Sequence, residues 1–501
     1  MAPFILLLAF FLALILLVII FITYSIIWIP YKIQRQFYRQ GIKGPGYHPI
    51  YGNTPEFKQE FDRTYTKPVG SFSHDIVHRL DPPYHKWTAL YGKTVLFWQG
   101  IVPWIILSEP EMLKEVYLNK SGHIVRGKIS PPVDLLFGQG LFNLGGDKWS
   151  LHRKVANPAF MIDQVKSWIP EVVDSVEMVV KKWEDEIEER NETEVEVMQE
   201  FRLLSSEILS RTAFGSSYGE GKHIFELEDQ QAKLVLKGLR TAYIPGFRFL
   251  PTHDNRIRWK IERKIRSLIT KLIINKDQEE VGNSKSLLNF LLNGGLPFEE
   301  VIDECQAFYF AGKEAVTILM TWTIVLLSMH QDWQTKAREE VFRVWKTNKE
   351  FPNADTLNDL KVVSLIINEV LRLYPPVPTT FREASKDMKV KNVNVPAGTK
   401  FYLPIAAVHH DTELWGEDAT EFNPQRFLDP RKHLVSFSPF GLGSRTCIGQ
   451  NFAVMEGKII LATLLKHFTF RLSPSYVHAP VMFLTVAPQF GAQILVSKIS
   501  S

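Results

Sequence analysis

The pattern of apolar and polar positions begins with an unbroken block. Residues Phe4 to Ile29 carry no charged side chain and are dominated by Leu, Ile, Phe and Val, more than the about 20 residues that cross a bilayer as a helix. A cleaved signal peptide would have a basic start, a shorter apolar core and a small-residue cleavage site, none of which occurs here. The block therefore predicts one transmembrane anchor over 4–29. Lys32, Arg35, Arg39 and Lys43 follow it and no Lys or Arg precedes it, which predicts the rest of the chain on the cytosolic side. Residues 30–53 are basic and punctuated by Lys43-Gly44-Pro45-Gly46-Tyr47-His48-Pro49, a stiff linker in this reading. Residues 54–501 read as a single domain.

Within that domain the apolar spacing is mostly helical. It predicts helices near 161–190, 194–214 and 256–276 and an exposed polar loop over 276–286. From Pro297 to about His330 runs an apolar pattern without an internal proline, long enough for a helix of roughly 50 Å that must cross the whole core. Strand signals are fewer: Val393-Asn394-Val395, the turn Pro396-Ala397-Gly398 and Lys400 to Leu403 read as a hairpin. The expected fold class is mainly α with a small β-sheet part.

Charge changes this picture little. With Lys+Arg 58 and Asp+Glu 54, the balance does not call for a nucleic-acid partner. The two cysteines, Cys305 and Cys447, stand in dissimilar contexts, so neither a disulfide framework nor a zinc cluster can be built. Cys305 lies within a helical pattern and reads as core.

Cys447 is different. It lies in Ser438-Pro-Phe440-Gly-Leu-Gly443-Ser-Arg445-Thr-Cys447-Ile-Gly449, a pattern suited to a metal-bound thiolate whose sulfur is tuned by backbone N–H groups. Gly443 permits a tight turn with positive φ, and Gly449 lets the backbone approach a flat cofactor. The residues after Cys447 turn helical, so the sulfur is expected at a helix N-terminus, where the dipole favours negative charge.

These residues resemble the haem-binding loop of a cytochrome P450, a haem-thiolate monooxygenase. The resemblance implies the P450 fold, haem b with Cys447 as axial ligand to the iron, Phe440 screening the sulfur and Arg445 on a propionate. It extends to Trp149 and Arg153, one helical turn apart, and to Arg382, all matching propionate-binding positions. Glu369 and Arg372, followed by Arg426 in Phe422-Asn-Pro-Gln-Arg-Phe427, resemble the family's structural Glu–Arg–Arg network; Gln425 stands where Glu is common. Further stretches at 308–314, 409–419 and 473–480 are similar to the plant secologanin-synthase-related group, whose members modify terpenoids, steroid hormones and other apolar metabolites. This implies an endoplasmic-reticulum protein that receives electrons from NADPH through a separate NADPH–cytochrome P450 reductase. A basic face at Lys148, Lys154 and Lys458 is expected to dock that acidic partner.

The oxygen-activation segment resembles Phe308 to Val316. Gly312 is expected to let the long helix distort, and Glu314 matches the family's acidic residue. Where the family has Thr, this chain has Ala315, whose methyl group can donate no proton. Thr317 cannot replace it, being turned about 200° away on the helix. Three readings of Ala315 stand open: an ordinary monooxygenase that moves protons through water or a substrate hydroxyl, a haem-dependent rearrangement or dehydration, and a non-catalytic ligand sensor. Residues 130–137 and 242–247, with Val377 and Pro378, are apolar candidates for a substrate pocket, or simply core.

Overall fold

The computed structural model describes residues 2–66, 72–127, 131–188, 191–239, 249–278, 286–347, 352–429 and 433–499. The candidate pocket stretch 242–247 and Ser130 lie outside them. Helices dominate, and among the described residues twelve strands form small sheets: β1 Thr94–Gln99, β2 Val102–Leu107, β3 Ile124–Val125, β4 Glu192–Glu196, β5 Thr380–Ala384, β6 Met388–Val390, β7 Val393–Val395, β8 Lys400–Leu403, β9 Phe468–Leu472, β10 Pro480–Met482, β11 Val486–Pro488 and β12 Gln493–Lys498. The largest sheet has the order β1-β2-β8-β5-β3, and β4-β12-β9 form a second.

The core helix runs from Phe298 to Met329 without interruption. Pro297 enters it in extended conformation, and Glu299 and Glu300 in its first turn complement the helix dipole. Buried polar residues are absorbed locally: Thr317 and Thr321 donate their hydroxyls to the carbonyls of Lys313 and Thr317, at 2.9 and 2.7 Å. The helix packs against helices Val197–Phe214, His253–Gln278, Lys361–Leu373 and Gln450–His467. Its most apolar stretch is 78% buried, whereas that of Pro3–Tyr38 is 0% buried. Both are long enough to cross a membrane, but only the N-terminal one exposes its apolar side chains.

That N-terminal helix, Ala2–Thr23, passes through a π-helical turn at Tyr24–Trp28 into the helix Ile29–Tyr38. The Tyr47 hydroxyl donates to the Ile26 carbonyl at 2.5 Å, and the Tyr47 ring packs on Trp98 of β1. Phe37 is fully buried. The expected linker over 30–53 is thus helical in its first part and docked on β1 in its second, with the Leu96 N–H donating to the Lys43 carbonyl at 2.9 Å. A side chain at Gly44 would meet the Leu96 carbonyl oxygen at 1.7 Å.

Other expectations shift. Residues 161–190 contain two helices, Ile162–Lys166 and Ile169–Glu188, and 192–196 form β4 before the helix Val197–Phe214 begins. The loop expected over 276–286 starts later, because the preceding helix continues to Gln278; residues 279–285 lie outside the described residues. The hairpin expected across 393–403 does not form. β7 pairs with β6, while β8 lies between β2 and β5. Gly398, at φ +80°, donates its N–H to Ala384 of β5 at 2.7 Å, so the turn carries the chain into another sheet.

Candidate functional site

The Cys447 loop is shaped by steric necessity at Gly443. Its φ is +76°, and a Cβ there would sit 2.3 Å from the Tyr117 carbonyl oxygen. A 3-10 turn spans Gly443–Arg445, and the Cys447 N–H then donates to the Phe440 carbonyl at 2.8 Å. The helix Gln450–His467 starts three residues after Cys447. Cys447 keeps exposed surface, although the surrounding protein pushes its thiol pKa up by burial; a hydrogen bond from the Gly449 backbone and the positive Arg153 act in the opposite direction. A thiolate here has two stabilising neighbours. Cys305, by contrast, is fully buried in the core helix, and burial raises its pKa.

Beside this loop four arginines converge. Arg153, on helix Gly146–Ala156, donates to the Thr446 carbonyl at 2.9 Å. Arg445 lies 4.0 Å over the ring of Trp149, one turn before Arg153. Arg382 of β5 is buried and donates to the Phe381 carbonyl at 2.8 Å. The fourth, Arg126, is buried as well and donates to the Phe142 and Phe381 carbonyls, each at 3.2 Å. Among the described residues none of the four pairs with a carboxylate. Burial, then repulsion from Arg382 and Arg445, lowers the Arg126 pKa to about 9; burial, then repulsion from Arg382 and Arg153, lowers that of Arg445 to about 10. Such a cluster is stable only opposite an anion.

The core helix opens at this level. Ala311 is exposed, and Gly312, Glu314 and Ala315 are half-buried, in a helix buried on both sides of them. Leu319 and Met320 lie against Gly457, while Phe308 stacks on Phe160, which in turn lies against Gly449. The contacts therefore run in the same order along both helices and set Ala311 and Ala315 level with the segment that follows Cys447. Phe137 stacks on Phe142 and meets Phe310 edge-on; with Leu484 they give this side an apolar wall. From the candidate pocket stretch, Val133 and Leu136 fall in the buried cluster behind it. Val377 is exposed and Pro378 buried.

Gly312 behaves differently from the expectation. The helix is not interrupted there, and the absent side chain instead admits Leu209, whose Cδ1 would lie 2.7 Å from a Cβ. Thr317 is fully buried and its hydroxyl is bound to backbone carbonyls, so it leaves the Ala315 position without a hydroxyl. Glu314 accepts a hydrogen bond from Thr485 at 2.9 Å and lies 3.9 Å from Arg202.

Residues 74–491 match the protein family described as Cytochrome P450. The chain belongs to the cytochrome P450 family. It is 41% identical to Cytochrome P450 734A1 of Arabidopsis thaliana, covering 95% of this chain and 93% of that protein. It is 41% identical to Cytochrome P450 72A397 of Kalopanax septemlobus, covering 94% of each, and 37% identical to Cytochrome P450 734A2 of Oryza sativa subsp. japonica, covering 95% and 91%.

The P450 cofactor, a haem held through a thiolate, fits these residues on three counts. The arginines lack carboxylate partners, one cysteine retains surface, and a Cβ at Gly449 would meet nothing in the polypeptide closer than Phe160 at 3.8 Å. Internal packing therefore gives no reason for glycine at 449, whereas a flat cofactor would.

The Glu–Arg–Arg network is assembled as the sequence implies. Arg372 donates to Glu369 at 2.7 and 2.8 Å, and Arg426 donates to Glu369 at 3.1 Å. Glu369 and Arg372 are fully buried. The link from this network to the thiolate loop is His409. Arg372 donates to its carbonyl at 2.8 Å, and its Nε2 lies 3.0 Å from the Ser438 N–H. Burial pulls the His409 pKa down to about 3, so the neutral ring accepts from Ser438 at Nε2 and donates from Nδ1 to the Arg372 carbonyl at 3.1 Å.

The expected basic face is weaker than its lysines suggest. Lys148, though exposed, pairs with Glu300 at 2.8 Å, and Lys458 donates to the Leu357 carbonyl at 3.0 Å; Lys154 is exposed as well. Arg126 and Thr485 escape sequence reasoning because each acts across a long separation and neither belongs to a motif, while His409 lies in the 409–419 stretch without its contact to Ser438 being legible there.

Proposed function

We propose that Cys447 is the axial haem ligand and that this P450 hydroxylates a large apolar plant-type metabolite, terpenoid or steroid-like. The reaction consumes dioxygen and two electrons from NADPH, delivered by a separate reductase, and releases water with the alcohol. When bound, the haem supplies the iron at which dioxygen is reduced. Arg126, Arg153, Arg382 and Arg445, with Trp149, hold its propionates; Phe440 and Gly443 shape the sulfur's loop, and Gly449 leaves room for the macrocycle. The observation that supports this reading is the exposure of the core helix at Ala311 and Ala315, level with the segment that follows Cys447 and beside an apolar wall. Ala311 and Ala315 leave space for substrate, Glu314 places a carboxylate beside them, and the aromatic side chains exclude water. The apolar N-terminal helix and the basic residues after it support a single-pass endoplasmic-reticulum anchor with the catalytic domain in the cytosol.

Ala315 keeps a second reading alive, a haem-dependent rearrangement or dehydration, or a ligand sensor, since none of these needs the missing hydroxyl. The deciding experiment uses full-length protein in membranes with a P450 reductase, NADPH and isotopically labelled dioxygen, against a terpenoid and steroid panel. The expected result is a product carrying one labelled oxygen, absent from Cys447→Ala. An unlabelled isomer formed without NADPH would establish the rearrangement instead, and binding without turnover a sensor.

A further inference from the structure

The turn between β10 and β11 bonds to the core helix through one residue and packs its neighbour on a cluster that includes a core-helix side chain one turn earlier. Leu484 packs against the cluster that contains Phe310, and Thr485, the next residue, donates its hydroxyl to Glu314 Oε1 at 2.9 Å. Leu484 is a branched, non-glycine residue at φ +106°, a conformation that persists only when its surroundings enforce it. The enforcement is visible on both flanks. The Met482 N–H donates to the Tyr65 hydroxyl at 2.9 Å, the Phe483 N–H to the Thr485 carbonyl at 2.9 Å, and Trp322 Nε1 to the Val486 carbonyl at 2.6 Å.

Glu314 stands next to Ala315, at the position where the helix opens. Its other oxygen is 3.9 Å from Arg202, too far for a hydrogen bond. Among the described residues, Thr485 is therefore the donor that fixes the carboxylate's direction. Neither Ala315 nor Thr317 offers a free hydroxyl, so the polar side chain next to Ala315 on this face is the Glu314 carboxylate.

We propose that Thr485 is a positioning residue that holds the Glu314 carboxylate for proton handling beside Ala315, and that the Leu484–Thr485 turn couples this hold to occupancy of the apolar cleft. The idea rests on the monooxygenase reading above. A ligand against Leu484 displaces a residue with few alternative backbone conformations, so Thr485 moves with it. Glu314 Oε1, held by the same hydroxyl, moves with it, so the ligand sets where the carboxylate meets water in the cleft.

The test compares Thr485→Val, which removes the donor at nearly constant shape, with Thr485→Ser, which keeps it, in the full chain with reductase and NADPH. The valine variant is expected to release about tenfold more peroxide per NADPH, the size of one lost charge-assisted hydrogen bond. The serine variant should match wild type, with the carbon-monoxide spectrum unchanged in both. Bound ligand should alter peroxide release in wild type but not in Leu484→Gly, which relieves the strained turn. A second readout is independent of turnover: Thr485→Val and Glu314→Gln should be non-additive in thermal unfolding. Additive unfolding effects, or wild-type peroxide release by Thr485→Val in an enzyme that does hydroxylate, would overturn the proposal while leaving the monooxygenase reading intact. Ligand-sensitive peroxide release in Leu484→Gly equal to wild type would remove the coupling to the cleft.

Discussion

His152 Nδ1 lies 2.6 Å from Glu304 Oε1, with both side chains fully buried. The other ring nitrogen, Nε2, lies 2.7 Å from Glu300, so two carboxylates face one ring and both nitrogens must donate. The two bonds favour the imidazolium and fasten the helix of Trp149 and Arg153 to the core helix. Lys148 shares Glu300, and helix Leu287–Asn293, packed against the same helix, brings no titratable group.

Although burial opposes the charge, hydrogen bonds to Glu304 and then to Glu300 raise the His152 pKa above 6.5. A pKa raised on folding gives stability that is complete below about 6.5 and disappears as pH climbs through the folded value. Thermal unfolding should therefore show the advantage of wild type over His152→Gln/Glu304→Gln shrinking toward alkaline pH. The single variant His152→Gln strands the buried Glu304 and should lose about 3–5 kcal/mol, more than the double variant.

Gly443 and Gly449 separate two reasons for glycine. Gly443→Ala must tolerate left-handed backbone, at about 1–2 kcal/mol, and a clash with the Tyr117 carbonyl, so the loop should fail to hold its sulfur and the thiolate-type carbonyl spectrum should vanish. Gly449→Ala meets only ordinary contact within the protein. Its apoprotein should unfold at the wild-type temperature while haem stoichiometry falls. Circular dichroism and haem quantification on both variants check the contrast.

Arg126→Leu should affect the haem-loaded protein and leave the apoprotein nearly unchanged. The apoprotein loses a cation that Arg382 and Arg445 repel, which offsets the two carbonyl hydrogen bonds it gives up, so its melting temperature should change little. The haem-loaded protein loses one charge-assisted contact, and haem should dissociate about tenfold faster. Transfer of haem to an acceptor protein measures this rate.

The elements legible in the sequence are those whose determinants lie close together. The Cys447 loop holds its glycines, arginine and cysteine within a dozen positions, and the core helix advertises itself through apolar spacing that no proline interrupts. The anchor is legible for the same reason, as one unbroken apolar block. The rest depends on where distant segments meet. Whether Lys400–Leu403 pairs with Val393–Val395 or enters the sheet between β2 and β5 is decided by partners some three hundred residues away and twenty residues away. Arg126 carries no motif, and its role emerges only where it meets Arg382 and Arg445. Gly312 shows a further limit: a glycine in a helix invites a distortion argument, yet here its missing side chain makes room for Leu209.

The neutral ring of His409 has a consequence for the whole molecule. Its depressed pKa means that acid must place a proton on Nε2, turning the acceptor for Ser438 into a donor, so stability falls as pH drops below the ordinary histidine value toward about 3. His152 must keep the proton that His409 must refuse. The two histidines thus pull stability in opposite directions with pH, His152 contributing less toward alkali and His409 less toward acid.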